Sequence, residues 1–166
     1  NTTCLDECGV ANGDGFQESC DAGDIELWCE CYDVIQTTSL NLSGNQYSGE
    51  IPAYIGSFEN LESLNLFNNN LSGSIPIEIG NLSSLKQLSV NNNNLSGSIP
   101  SEIGNLSSLE YFRLDNNNLS GDIPSEICDL SNVYYFNLSG NKFCPPYPSC
   151  LTEDQIGSQD TSDCSD

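Results

Sequence analysis

LNLFNNNLSGSIPIEIGNL, residues 64–82, decides the fold because it is one of a series. LNLSGNQYSGEIPAYIGSF (40–58), LSVNNNNLSGSIPSEIGNL (88–106) and FRLDNNNLSGDIPSEICDL (112–130) superimpose on it without a gap, and a fifth copy, FNLSGNKF (136–143), breaks off at Cys144. Asn45, Asn69, Asn93, Asn117 and Asn141 follow one another at a constant step of 24. A fixed period between roughly 20 and 50 residues marks a solenoid, in which each unit buries its apolar face only against its neighbours.

Each column of the repeat has a physical reading. Leu64 and Leu66, Leu88 and Val90, and Phe112 and Leu114 alternate with polar residues, the period of a strand with one buried face. One strand per repeat stacks into a parallel sheet. Leu61, Leu85, Leu109 and Val133 before these strands, and Leu71, Leu95 and Leu119 after them, are expected to fill the coil interior. The recurrent Asn sits where the chain leaves the strand, and its amide is suited to main-chain groups that no sheet satisfies. All five copies are read as one ladder. The Ile-Pro pairs at 51, 75, 99 and 123 suit the end of a short second strand. The Ile-Gly pairs at 55, 79 and 103 suit a single 3₁₀ or helical turn on the convex side.

With these columns in place, the stretch Thr37 to Phe143 resembles the leucine-rich-repeat family, in its plant-specific subclass with the pattern LxxLxLxxNxLxGxIPxxIGxLxx. That family includes receptor ectodomains, co-receptors and polygalacturonase inhibitors. The resemblance implies an α/β-type, predominantly β repeat solenoid: a right-handed coil with a concave parallel sheet, a second sheet, short convex turns, disulfide-bonded caps, and function through ligand recognition. Residues 1–36 form the expected N-terminal cap, in which 1–20 is a possible separate cysteine-rich unit. The repeats run 37–60, 61–84, 85–108, 109–132 and, in part, 133–143, and 144–166 forms the C-terminal cap and acidic tail.

A solenoid exposes its core at both ends and needs such caps. Nine cysteines, all outside Tyr32 to Ile127, point to an oxidising, extracellular compartment. DIELWCECYDVI resembles the family's N-terminal cap, with Trp28 beside Cys29 and Cys31 in an unusual order; NKFCPPYPSC resembles its C-terminal counterpart. Cys128 stands in the column of Gly56, Gly80 and Gly104 and implies a disulfide to the cap, although Cys128, Cys144, Cys150 and Cys164 allow three connectivities. DECGVANGDG resembles one unit of the CGVCxGD repeats of extracellular proteins, with Ala11 in place of a cysteine. It looks superficially like a calcium loop, but Val10 stands where the first carboxylate belongs.

Three basic residues against 24 acidic ones give a net charge of −21, which repels nucleic acid and anionic lipid. No apolar run approaches the ~20 residues of a membrane span, so no membrane insertion is expected. With no His, no metal-ligand spacing and no GxGxxG, the chain reads as neither an enzyme nor a holder of metal or cofactor. Glu62 and Glu110, two rungs apart at ~9.5 Å with Lys86 between them, read as an exposed ion ladder.

The concave residues that alternate with the buried leucines are the variable ones. Phe67, Lys86, Tyr111, Arg113, Asp115, Tyr134 and Tyr135 are the candidate ligand-binding set, for a protein or peptide ligand and a monomeric protein. Ser89 and Asn91 are read as open on the same face. Tyr134 and Tyr135 have a competing reading, packing beneath the C-terminal cap. Five strands at ~4.8 Å spacing give a face roughly 20 to 25 Å across, enough for a short peptide or one edge of a protein. Two alternatives compete with this reading: inhibition of an extracellular enzyme, and ice binding through the registered arrays of Asn68, Asn92 and Asn116 with Asn70, Asn94 and Asn118. Asn-x-Ser/Thr sequons at 1, 41, 70, 81, 94, 105, 118 and 137 suggest a glycoprotein.

Overall fold

A computed structural model describes residues 20–21, 23–28 and 30–164; the CGVCxGD-like unit, its calcium-loop resemblance and Cys29 lie outside them. An antiparallel hairpin, β1 (Asp24–Leu27) and β2 (Glu30–Asp33), precedes the coils. The principal sheet is parallel and five-stranded, built from β3 (Ser39–Asn41), β5 (Ser63–Asn65), β7 (Gln87–Ser89), β9 (Tyr111–Arg113) and β11 (Tyr135–Asn137) in order along the solenoid. Leu40, Leu64, Leu88, Phe112 and Phe136 lie opposite one another, so the 24-residue step sets the register without slippage.

A second set of parallel strands joins β4 (Ser48–Glu50) to β6 (Asn70–Ser72), and β8 (Ser96–Gly97) to β10 (Asn118–Gly121) and β12 (Lys142–Phe143). Main-chain bonds from Asn94 to Leu71 and from Ser96 to Gly73, both 2.8 Å, link the two groups. Pro52, Pro76, Pro100 and Pro124 then lead in extended conformation into four 3₁₀ turns, Ala53–Ser57, Ile77–Asn81, Ser101–Asn105 and Ser125–Asp129. The Pro ring fixes φ and lacks a donor, which suits this exit from strand to turn.

Inside each coil the predicted apolar columns are buried; Leu61, Leu64, Leu66, Leu71, Ile79 and Leu82 have no exposed surface. Each such side chain contributes about 1.5–3 kcal/mol through burial. Val133 and Phe136 in the last coil are only partly buried, since no complete coil follows to cover them.

The asparagine ladder has four members rather than five. Asn93 Nδ2 donates to the Leu66 and Val90 carbonyls at 2.9 and 3.0 Å, and its Oδ1 accepts from Leu71 N at 3.0 Å. Asn69, Asn117 and Asn141 repeat the pattern with the coil before their own. Asn45 is exposed because no coil precedes it; its main-chain N–H is what Asn69 accepts.

Coil spacing on the convex side is set by contact with no room to spare. A Cβ added to Gly80 meets the Glu102 carbonyl oxygen at 2.5 Å, and Gly56 and Gly104 abut Glu78 and Glu126 in the same way, each 22 residues on. Cys128 occupies the next place in that column and bonds Cys150, again 22 residues on. The second C-terminal bridge is Cys144–Cys164, so the two interleave. Helix α1 (Glu153–Ile156), closed by a Thr152–Gln155 capping box, places Ile156 over the last coil. At the other end Cys20–Cys31 pins the hairpin, Leu27 is buried in the core, and Trp28 stacks on Tyr47 at 5.3 Å.

Asn93→Ala strands two carbonyls and one N–H inside the coil and is expected to cost about 3 kcal/mol or more, whereas Asn45→Ala leaves stability nearly unchanged; denaturant unfolding of both variants checks the contrast. Gly80→Ala is expected to destabilise by about 1–3 kcal/mol through overpacking, read the same way.

Candidate functional site

The odd-numbered positions of each rung project from the concave face, and in the C-terminal half they assemble into one cluster. Strand pairing sets Tyr135 opposite Tyr111, and the two rings stack at 4.7 Å between centroids with planes 12° apart. Arg113, two residues along β9, lies with its guanidinium carbon 5.9 Å from the centre of the Tyr135 ring. The Asp115 carboxylate holds that guanidinium in a fork, with Nε to Oδ1 and Nη2 to Oδ2 both 2.8 Å. Asn116 Nδ2 adds a bond to the same carboxylate at 3.0 Å. The Asp115 carboxylate raises the Arg113 pKa above its ordinary value, against the opposing effect of burial.

This changes the role of Asp115. Its side chain is 3% exposed and its charge is answered within the chain, so it orients Arg113 rather than meeting a ligand. Ser89 and Asn91 are also buried, contrary to their reading as open face residues. Phe67 and Asp115 hold the Asn91 column in the coils on either side. Asn91 Nδ2 is left without a hydrogen-bond partner among the described residues.

Lys86 and the outer aromatics stand open, while Tyr111 and Arg113 are half-buried. Phe67 is 37% exposed, Tyr135 41% and Tyr134 77%, so neither tyrosine of the last rung is packed beneath the C-terminal cap. Tyr134 belongs to a different column from the stack, that of Glu62, Lys86 and Glu110. Lys86 Nζ donates to Glu62 Oε2 at 2.9 Å, and that bond raises its pKa; both side chains are half exposed, so the pair is solvent-screened. Toward the N-terminal end the face turns to amides, with Asn65 Nδ2 donating to Asn41 Oδ1 at 3.1 Å. The set thus divides into a preorganised trio of Tyr111, Tyr135 and Arg113, two exposed aromatics at its margins, and a loose ion pair.

The fold is an open repeat coil with a variable face on a constant frame. The Leucine Rich Repeat family model matches residues 36–58, 60–82, 84–106 and 108–130, and the chain belongs to the leucine-rich repeat family. No curated protein matches the chain. Among solved structures it is similar to the plant peptide hormone receptor RGFR1 in complex with RGF2, with 53% identity over 64% of this chain and 17% of that one, at a TM-score of 0.63. It is similar also to a chain of the BIR3–SERK2 complex from Arabidopsis thaliana, with 40% identity over 68% of this chain and 60% of that one, at a TM-score of 0.65. A third neighbour is the LRR protein LIC12759 of Leptospira interrogans, with 36% identity over 62% of this chain and 25% of that one, at a TM-score of 0.55. The chain therefore spans between 17% and 60% of the length of these three.

Asp115→Ala removes the charged acceptor of the fork and is expected to cost about 1.5–3 kcal/mol, while Lys86→Ala leaves the unfolding midpoint unchanged. Parallel denaturation curves test the difference between the two ion pairs.

Proposed function

We propose that this chain is an extracellular peptide-recognition module that binds its ligand across the concave face, without catalysis, and anchors it at Tyr111, Tyr135 and Arg113. The observation that carries this reading is the stacked tyrosine pair with its locked guanidinium. Rigid aromatic and Arg side chains lose little entropy when a partner docks, and they dominate interface energies. Arg113 is already neutralised by Asp115, so it offers a flat, weakly hydrated surface and residual donors more than net charge. RGFR1, solved with RGF2, supports a peptide ligand, and the BIR3–SERK2 complex supports a protein partner. Three disulfides among the described residues support an oxidising compartment. Ice binding and enzyme inhibition find no support among these neighbours.

Tyr135→Ala is expected to weaken a partner captured from extracellular medium at least tenfold, about 1.4 kcal/mol, with the melting temperature held. Lys86→Ala should leave the affinity within about twofold. Biolayer interferometry on purified variants reads both, and equal capture by wild type and Tyr135→Ala overturns the assignment. Arg113→Glu is not a clean probe, because it sets a second carboxylate beside buried Asp115.

A further inference from the structure

Seven sequon asparagines fall among the described residues, and three of them, Asn70, Asn94 and Asn118, occupy one column beside the second set of strands. All three are exposed, and their main-chain N–H groups are spent on the preceding coil, donating to Tyr47, Leu71 and Leu95 at 2.7 to 2.8 Å. Asn118 differs from the other two in its surroundings. It lines two adjoining cavities, of about 400 and 530 Å³, where the strands meet the C-terminal cap. Volumes of this size accommodate a small polar ligand.

Both cavities are also lined by Lys142, whose ammonium lies 3.6 Å from an Asp163 carboxylate that is 79% exposed, a loose pair free to rearrange. Ser158 and Asp160 border the first cavity, and Asp122 and Asp163 the second. These groups come from the fourth coil (Asn118 and Asp122), the truncated fifth (Lys142) and the cap tail (Ser158, Asp160 and Asp163). The tail is tied to the last coil by Cys144–Cys164, by the bridge between Asn141 and Gln159, and by Asp160 N donating to Asn141 O at 2.8 Å.

We propose that Asn118 is an N-glycosylation site whose first N-acetylglucosamine seats in this groove and fastens the C-terminal cap to the fourth coil. The Asn118 side-chain amide makes no hydrogen bond among the described residues and only its main-chain N–H is spent, on Leu95 O at 2.7 Å, so Nδ2 carries the sugar without loss to the fold. In the transfer, Nδ2 forms a bond to the anomeric carbon of a lipid-pyrophosphate-linked oligosaccharide. The bond from that carbon to the pyrophosphate oxygen breaks, the lipid pyrophosphate leaves as the anion, and Nδ2 gives up one of its two protons to solvent. The sugar hydroxyls then donate to the Asp160 and Asp163 carboxylates, and the acetamido carbonyl accepts from Lys142. Asn70 and Asn94 border neither cavity, so sugars there lack this seat.

The inference rests on passage through the secretory pathway and is independent of what the concave face binds. The chain is secreted from a eukaryotic host, its glycopeptides are mapped by mass, and its thermal unfolding is followed before and after an endoglycosidase that leaves one N-acetylglucosamine per site. Asn118 is expected to be occupied, the trimmed chain to melt where the untrimmed one does, and Asn118→Gln and Ser120→Ala, which each abolish the sequon, to melt about 2–4 °C lower. Asn94→Gln is expected to leave the melting temperature unchanged. The same two sequon variants, made without glycosylation in an oxidising bacterial compartment, should melt with their unglycosylated parent. An unmodified Asn118, sequon variants that melt with the glycosylated parent, or a loss that persists in the unglycosylated pair overturns the proposal.

Discussion

The amide of one asparagine per coil holds this structure together, because every coil must turn sharply out of its strand and so leaves main-chain groups facing inward with no sheet to receive them. An amide that donates once within its own coil, and both donates to and accepts from the coil before it, answers those groups and joins the two turns in one set of bonds. Little water reaches that depth, so an unanswered carbonyl or N–H there carries most of its desolvation cost. The leucine columns supply the bulk of the burial energy and fix which face of each strand turns inward. The asparagines fix where each coil begins relative to the last.

That same constraint explains why the architecture was so legible in the sequence. Period, strand alternation, Ile-Pro exits and 3₁₀ turns each recur in the same column, so four copies give four independent readings of one geometry. What escaped was whatever depends on an asymmetry between neighbouring coils. Asn45 has the ladder residue but no earlier coil to bind. Asp115 alternates outward like its neighbours, yet Arg113, at the end of β9, folds back over it. Ser89 and Asn91 project from the open face and are buried all the same. Column reading assigns a direction to a side chain; it cannot say what leans across it. The pairing of Tyr111 with Tyr135 was nearer to hand, since residues one period apart are opposite one another in this sheet.

Charge is distributed in a way that suits this division between frame and face. Two of the chain's three basic residues lie on the concave sheet, and both are answered by a carboxylate within reach. The concave surface is thereby close to neutral inside a strongly acidic molecule. A ligand approaching it meets aromatic and amide groups rather than a strong field, so selectivity there rests on shape and hydrogen bonding more than on long-range attraction.

The packing of Gly56, Gly80 and Gly104 against the following coil, continued by the Cys128–Cys150 bridge, bears on how such a molecule changes length. A duplication of either middle unit, 61–84 or 85–108, inserts a coil whose glycine meets the next glutamate and whose asparagine meets the previous turn, so each junction is rebuilt from parts already compatible. The bridge occupies the same 22-residue interval with a covalent bond and so closes the series wherever it stands, independent of how many units precede it. Repeat number is thus free to drift while the terminus stays the same, which separates the evolution of reach from the evolution of closure.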